Sequence, residues 1–153
     1  MRYEEILVAI RAVVDKDAGV VANMANVAAL LMEYVPDINW AGFYLLRGDE
    51  LILGPFCGKV ACVRIKKGQG VCGTAVLHNR TYLVPDVHAF PGHIACDAAS
   101  QSEIVVPLRD EAGAPIGVLD VDSKTRGRLA LPDAMGLEMI AEYVQTLFWK
   151  EAE

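Results

Sequence analysis

The sequence predicts an α+β fold: a mostly antiparallel central sheet, N- and C-terminal helices packed on one face, and a ligand pocket on the other. Three observations predict it. Apolar residues recur at helical spacing at both ends of the chain, the period changes to two through the middle, and the period-two stretches come in pairs joined by turn-like segments. With 153 residues, 54% hydrophobic and 22% charged, the chain has the size and composition of a single domain over 1–153 with a substantial core.

The elements follow in order. Ile6, Ile10, Val13 and Val14 predict a first helix, and Val20, Met24, Val27 and Leu31 a second after a break at Asp17 to Gly19. Pro36 and Asp37 end it. "NWAGFYLL" (39–46), the turn "RGDE" and "LILGPF" (51–56) predict a hairpin. Residues 70–79 predict a short helix, "TYLV" a strand, and "PDVHAFPGHIACDAAS" a loop of a length that is functional when it occurs in a compact domain. "EIVVPL" and "PIGVLDVDS" predict two more strands. Pro132 predicts the start of a last helix with Leu137, Ile140, Val144, Leu147 and Phe148 on one stripe. If the terminal helices cover one face of the sheet, the long loops are left to cover the other.

Charge and cysteine usage narrow the function classes. A net charge of −6, with no basic cluster beyond "RIKK" at 64–67, argues against nucleic acid as a partner. The apolar runs are far short of the ~20 residues of a membrane span, and the N-terminus mixes acids and bases through its apolar positions, unlike a signal peptide. The expected location is cytoplasmic, where thiols stay reduced and stable structural disulfides are uncommon. The four cysteines, Cys57, Cys62, Cys72 and Cys96, contain no Cys-x-x-Cys pair. Cys96, within "GHIACDAAS", can on these grounds be a core thiol, a metal ligand, half of a disulfide or a nucleophile. A zinc site using cysteine with His88 and His93 is a minor alternative.

"GQGVCG", Gly68 to Gly73, matches the dinucleotide pattern G-x-G-x-x-G. That pattern needs the first strand of a parallel βαβ unit before it, whereas hairpins flank it here. The glycines are better explained by tight turns beside Cys72.

Strand side chains alternate between faces. Trp40, Gly42 and Tyr44 share a side opposite Ala41, Phe43 and Leu45; Glu103 and Val105 lie opposite Ile104 and Val106; Asp120 and Asp122 lie opposite Leu119 and Val121. Each strand therefore has one apolar face for the helices, and the other faces gather two aromatics and three carboxylates. A solvated surface would explain any one of these acids taken singly. Asp120 and Asp122 are different, because neighbouring like charges in an apolar segment repel unless a cation or a proton lies between them. An ammonium group meets that need, and Trp40 and Tyr44 can wall the apolar end of the same ligand.

In this order, "NWAGFYLL", "LGPFCGKVACVRI", "GQGVCGTAV", "DVHAFPGHIACDAASQSEIVVPL" and "IGVLDVDS" closely resemble the free methionine-R-sulfoxide reductases, enzymes with a GAF fold. The resemblance runs from about residue 20 to the last helix and is densest from Trp40 to Ser123. It implies thioredoxin-dependent reduction of free L-methionine (R)-S-oxide, with no metal or organic cofactor, by a homodimer. It implies that Cys96 is the nucleophile, that Cys62 is the resolving cysteine forming a disulfide with it, and that Cys72 lies near the site. It also implies that Trp40, Tyr44, Glu103, Asp120 and Asp122 line the substrate pocket, the same five that the alternation places on one face. Cys57 departs from the family pattern, where glutamine is expected, and reads as an inert thiol or an extra disulfide partner.

A mechanism follows from that resemblance and from sulfoxide chemistry. A sulfoxide needs a proton or strong hydrogen bond on its oxygen before a thiolate attacks its sulfur, so Glu103 or an acid beside it is expected to be held protonated. Asp120 and Asp122 are expected to hold the substrate ammonium. His93 and Asp97 would pull the Cys96 thiol in opposite directions. A ligand-sensing GAF module without chemistry and a thiol redox sensor are the alternatives.

Overall fold

The computed structural model describes residues 2–92 and 100–149. Helices α1 (Tyr3–Val13) and α2 (Val20–Tyr34) lead into strands β1 (Trp40–Arg47), β2 (Glu50–Cys57) and β3 (Arg64–Lys66). Helix α3 (Gly70–His78), strands β4 (Tyr82–Val84), β5 (Ser102–Arg109) and β6 (Pro115–Ser123), and helix α4 (Leu131–Gln145) follow. The six strands form one sheet in the order β3-β2-β1-β6-β5-β4, with every neighbouring pair antiparallel. No helix among the described residues is long and apolar enough to cross a membrane.

The predicted helices and hairpins are present, with three differences. β3 is absent from the sequence reading, because three residues are too few to display a period. α4 begins one residue before Pro132, with the Asp133 carboxylate accepting from the Ala130 amide at 2.9 Å and capping the start. Third, α3 shares with the loops the cover of the second face of the sheet.

One core lies between the sheet and the terminal helices. Ile6 and Ile10 of α1, Met24, Val27 and Leu31 of α2, and Leu137, Ile140 and Val144 of α4 pack on Ala41, Phe43, Ile104, Val106, Leu119 and Val121. The helices are also tied by polar contacts. The Asn23 amide donates to the carbonyls of Asp15 and Gly19, and the Tyr3 hydroxyl donates to Asp133 at 2.7 Å, joining α1 to α4. A second core holds the opposite face, where Val71, Ala75 and Val76 of α3 meet Tyr44, Val105 and Val118. α3 can sit this close because residue 73 is glycine: a Cβ there would come 2.4 Å from the Lys66 carbonyl oxygen. Since the sheet is antiparallel throughout, "GQGVCG" has no βαβ unit around it, and its glycines serve this turn and close approach.

Candidate active site

The site is built in ranks across three central strands. In the first rank Trp40 of β1 stands opposite Asp122 of β6, which stands opposite Glu103 of β5. In the next, Gly42 stands opposite Asp120, and Asp120 opposite Val105. Tyr44 begins a third, opposite Val118. Directly opposed side chains in an antiparallel sheet lie about 4.5–5.5 Å apart at Cβ. The sheet itself therefore brings Trp40, Tyr44, Glu103, Asp120 and Asp122 together, on the face covered by α3.

These residues are buried. Glu103, Asp120 and Asp122 are 8%, 5% and 8% exposed, so the acids do not form a solvated face. Cys72 enters from α3, with its Sγ 4.0 Å from Glu103 Oε2. Oδ1 of Asp120 is buried without a hydrogen-bond partner. A buried polar atom so placed is matched by a proton, an ordered water or a ligand's polar group.

Burial sets the proton distribution. Loss of water pushes the Asp120 carboxyl well above its usual range, and the adjacent Asp122 and Glu103 push it further. Burial likewise raises the Cys72 thiol, with Asp120, Glu103 and Asp122 adding in turn, so Cys72 is held as a neutral thiol and is unsuited to nucleophilic attack. The Tyr44 phenol is raised by burial and then by Asp120, and stays a proton donor. Of the acids at and beside Glu103, Asp120 is the one whose surroundings favour holding a proton.

The aromatic wall is fixed at both ends. Trp40 and Tyr44 stack with centroids 6.1 Å apart, and Trp40 stacks on Phe56 at 5.2 Å. Trp40 Nε1 donates to the Lys59 carbonyl at 3.1 Å, and Tyr44 Oη donates to the Cys62 carbonyl at 2.9 Å. Both polar tips thus hold the segment between β2 and β3 that carries Cys62. Phe56 escaped the sequence reading. Its signal was Gly42: a Cβ there would come 2.3 Å from Phe56 Cβ and 2.8 Å from the Trp40 ring, and glycine within a strand marks such an approach.

Cys62 is half-buried and disulfide-bonded, whereas Cys57 and Cys72 are free. The free state of Cys57 agrees with an inert thiol. Cys96, His93 and Asp97 lie outside the described residues. Among the described residues, the metal-ligating types that come together are Cys72, Glu103 and Asp120, whose ligand atoms lie within 4.8 Å of one another. The Cys, His88 and His93 alternative involves His93, which lies outside the described residues. As a zinc ligand Cys72 would have to give up a proton that burial holds in place.

Comparison with known proteins adds the relatives. A family profile described as GAF domain matches residues 21–147. The chain is 56% identical to the free methionine-R-sulfoxide reductase of Escherichia coli (strain K12), over 81% of this chain and 74% of the relative. It is 46% identical to the free methionine-R-sulfoxide reductase of Saccharomyces cerevisiae, over 78% of this chain and 70% of that one. Among solved structures, it superposes on the free methionine-R-sulfoxide reductase of Neisseria meningitidis in complex with its substrate. That match has a TM-score of 0.90 and 46% identity, over 95% of this chain and 87% of that one.

Proposed function

This chain belongs to the GAF-domain family, among its free methionine-R-sulfoxide reductases, and we propose that it reduces free L-methionine (R)-S-oxide to L-methionine between α3 and the sheet. One observation carries the siting of the reaction: three carboxyl groups, Glu103, Asp120 and Asp122, share a buried face with an aromatic wall, and one of them is driven to hold a proton. An amino-acid sulfoxide supplies both things such a site lacks, an ammonium for the carboxylates and an oxygen for the proton.

Asp120 donates its proton to the sulfoxide oxygen as the Cys96 thiolate attacks sulfur. Oxygen passes to Cys96 with that proton, giving a sulfenic acid, and methionine leaves with its sulfur reduced by two electrons. The Cys62 thiol then attacks the Cys96 sulfur, water departs, and a disulfide remains. A thioredoxin supplies two electrons and two protons to reopen it. With Asp120 committed to the proton, Glu103 takes the place expected for Asp120 beside Asp122 in facing the ammonium. A peptide-bound residue would bring no ammonium and leave those carboxylates unmatched, which restricts the enzyme to the free amino acid. Trp40 and Tyr44 take the S-methyl end, and Cys72 packs against the acids as a neutral thiol. The family likeness also supports a homodimer working in the cytoplasm.

The test is NADPH consumption with thioredoxin and thioredoxin reductase, comparing the R and S sulfoxides of free methionine. Consumption is expected with the R form alone. An R form that is consumed neither here nor with dithiothreitol as reductant would overturn the reading.

A further inference from the structure

We propose that Val60 and Val63, exposed on either side of Cys62, form the docking surface for an acidic, thioredoxin-class dithiol protein that reduces the Cys62 disulfide. The proposal rests on the reading above that such a protein is the reductant.

Val60 is 87% exposed and Val63 61%. A single exposed valine means little. These two flank in sequence a half-buried cysteine that is already in a disulfide. The segment that carries them is held by its carbonyl groups: Lys59 accepts from Trp40, Cys62 from Tyr44, and Val63 from the Leu53 amide at 2.9 Å. Three anchors within five residues fix the main chain while the valine side chains stand in water. Neither valine belongs to either core.

Disulfide exchange explains why a partner needs such a surface. A thiolate of the partner must reach Cys62 Sγ along the line of the bond it breaks. A bond forms between the partner's sulfur and Cys62, the bond from Cys62 to its disulfide partner breaks, and the leaving sulfur departs as a thiolate. The second thiol of the dithiol protein then attacks the mixed disulfide, and Cys62 leaves in turn. A large reductant can make this approach only by seating its own main chain beside Cys62. Apolar side chains around the sulfur supply contact area without stripping water from a charge. The same stretch exposes Lys59 and Lys66, with Arg64 between them paired to Glu50, in a chain of net charge −6, and the two lysines favour an acidic partner.

Kinetics with two reductants isolates the docking step. For Val60→Glu/Val63→Glu, KM for purified thioredoxin is expected to rise about tenfold or more, since charge placed in an apolar contact disfavours docking. KM for the sulfoxide and turnover with dithiothreitol, which needs no docking surface, are expected to stay within about twofold. An unchanged KM for thioredoxin overturns the proposal. So does an unchanged KM accompanied by a change in oligomeric state, which would assign the valines to a second copy of the chain. If the Glu pair also loses turnover with dithiothreitol, Val60→Ser/Val63→Ser decides by the same criterion. A parent enzyme that turns over with dithiothreitol but never with thioredoxin overturns both the reductant and this surface. A parent inactive with either overturns the proposed function itself.

Discussion

The phenol of Tyr44 donates to the carbonyl oxygen of Cys62 at 2.9 Å, so the strand flooring the pocket also holds the main chain of the disulfide-bonded cysteine. Tyr44→Phe removes that bond and keeps the ring. Loss of one part-buried hydrogen bond costs about 1 kcal/mol. For a chain of this size that lowers Tm by roughly 2–4 °C, which calorimetry will read. Disulfide closure after sulfenic acid formation should slow as well, because the carbonyl anchor of the resolving cysteine is gone. Counting free thiols through a single turnover measures that step.

Asp120 governs the pH dependence. Its carboxyl is held well above the ordinary aspartate range, about 4, in the folded protein by burial and by Asp122 and Glu103. Between those two pH values the folded state binds the extra proton, so this contribution to stability is complete below the window and is lost as pH rises through the folded pKa. Asp120→Asn should flatten that part of the curve of Tm against pH. As an amide cannot deliver the proton, turnover should fall about 10²- to 10⁴-fold. An activity profile that keeps the parent's alkaline limb in Asp120→Asn would remove Asp120 as the acid.

How far the site was legible follows from the same residues. Alternation alone places Trp40, Tyr44, Glu103, Asp120 and Asp122 on one face, because a strand has a period of two and its apolar side identifies the core. The cross-strand ranks require register, which the sequence does not display, and so the pairing of Asp122 with Glu103 and of Asp120 with Gly42 emerges only from the sheet. β3 and the place of α3 were hidden for a related reason: three residues carry no period, and a nine-residue helix with Val71, Cys72, Ala75, Val76 and Leu77 spread around its axis has no distinct apolar stripe. The division of labour among the acids depends on burial, a property of the assembled face. The polar tips of Trp40 and Tyr44 bind main-chain carbonyls, which no side-chain pattern reports.

Asp122→Asn tests the ammonium. Removing the charge from one member of a charge pair should lower kcat/KM by about 10- to 100-fold through KM. N-acetyl methionine sulfoxide, which has no ammonium, should be a poor substrate for the parent and should lose little more in the variant. Reduction of the acetylated compound as fast as the free amino acid would refute the assignment.

The two cysteines should separate kinetically. Cys96→Ser should abolish turnover with any reductant, as no thiolate remains to take the oxygen. Cys62→Ala should still release about one methionine per chain in a rapid mix and then stop with thioredoxin, since the sulfenic acid forms but no disulfide follows. Quenched-flow measurement of methionine reads the burst. Its absence would mean that Cys62 takes part before the resolving step.

Gly42 tests whether the aromatic wall shapes the pocket. A methyl group at this position would come 2.3 Å from Phe56 Cβ and 2.8 Å from the Trp40 ring, closer than Cβ atoms approach. The Phe56 Cβ and Cα, 2.3 and 2.8 Å away, can give only if the β2 main chain shifts, and the Trp40 ring must move aside as well. Trp40 is itself held by its stack on Phe56 and by its bond to Lys59, so moving it disturbs both. Gly42→Ala should therefore destabilise the fold by about 1–3 kcal/mol, the usual cost of overpacking a filled core. It should also raise KM for the sulfoxide, because Asp120 stands opposite Gly42 and Asp122 opposite Trp40. Thermal unfolding and steady-state kinetics measure the two effects. A variant with the parent's Tm and KM would show that the wall tolerates the methyl group and has no part in shaping the pocket.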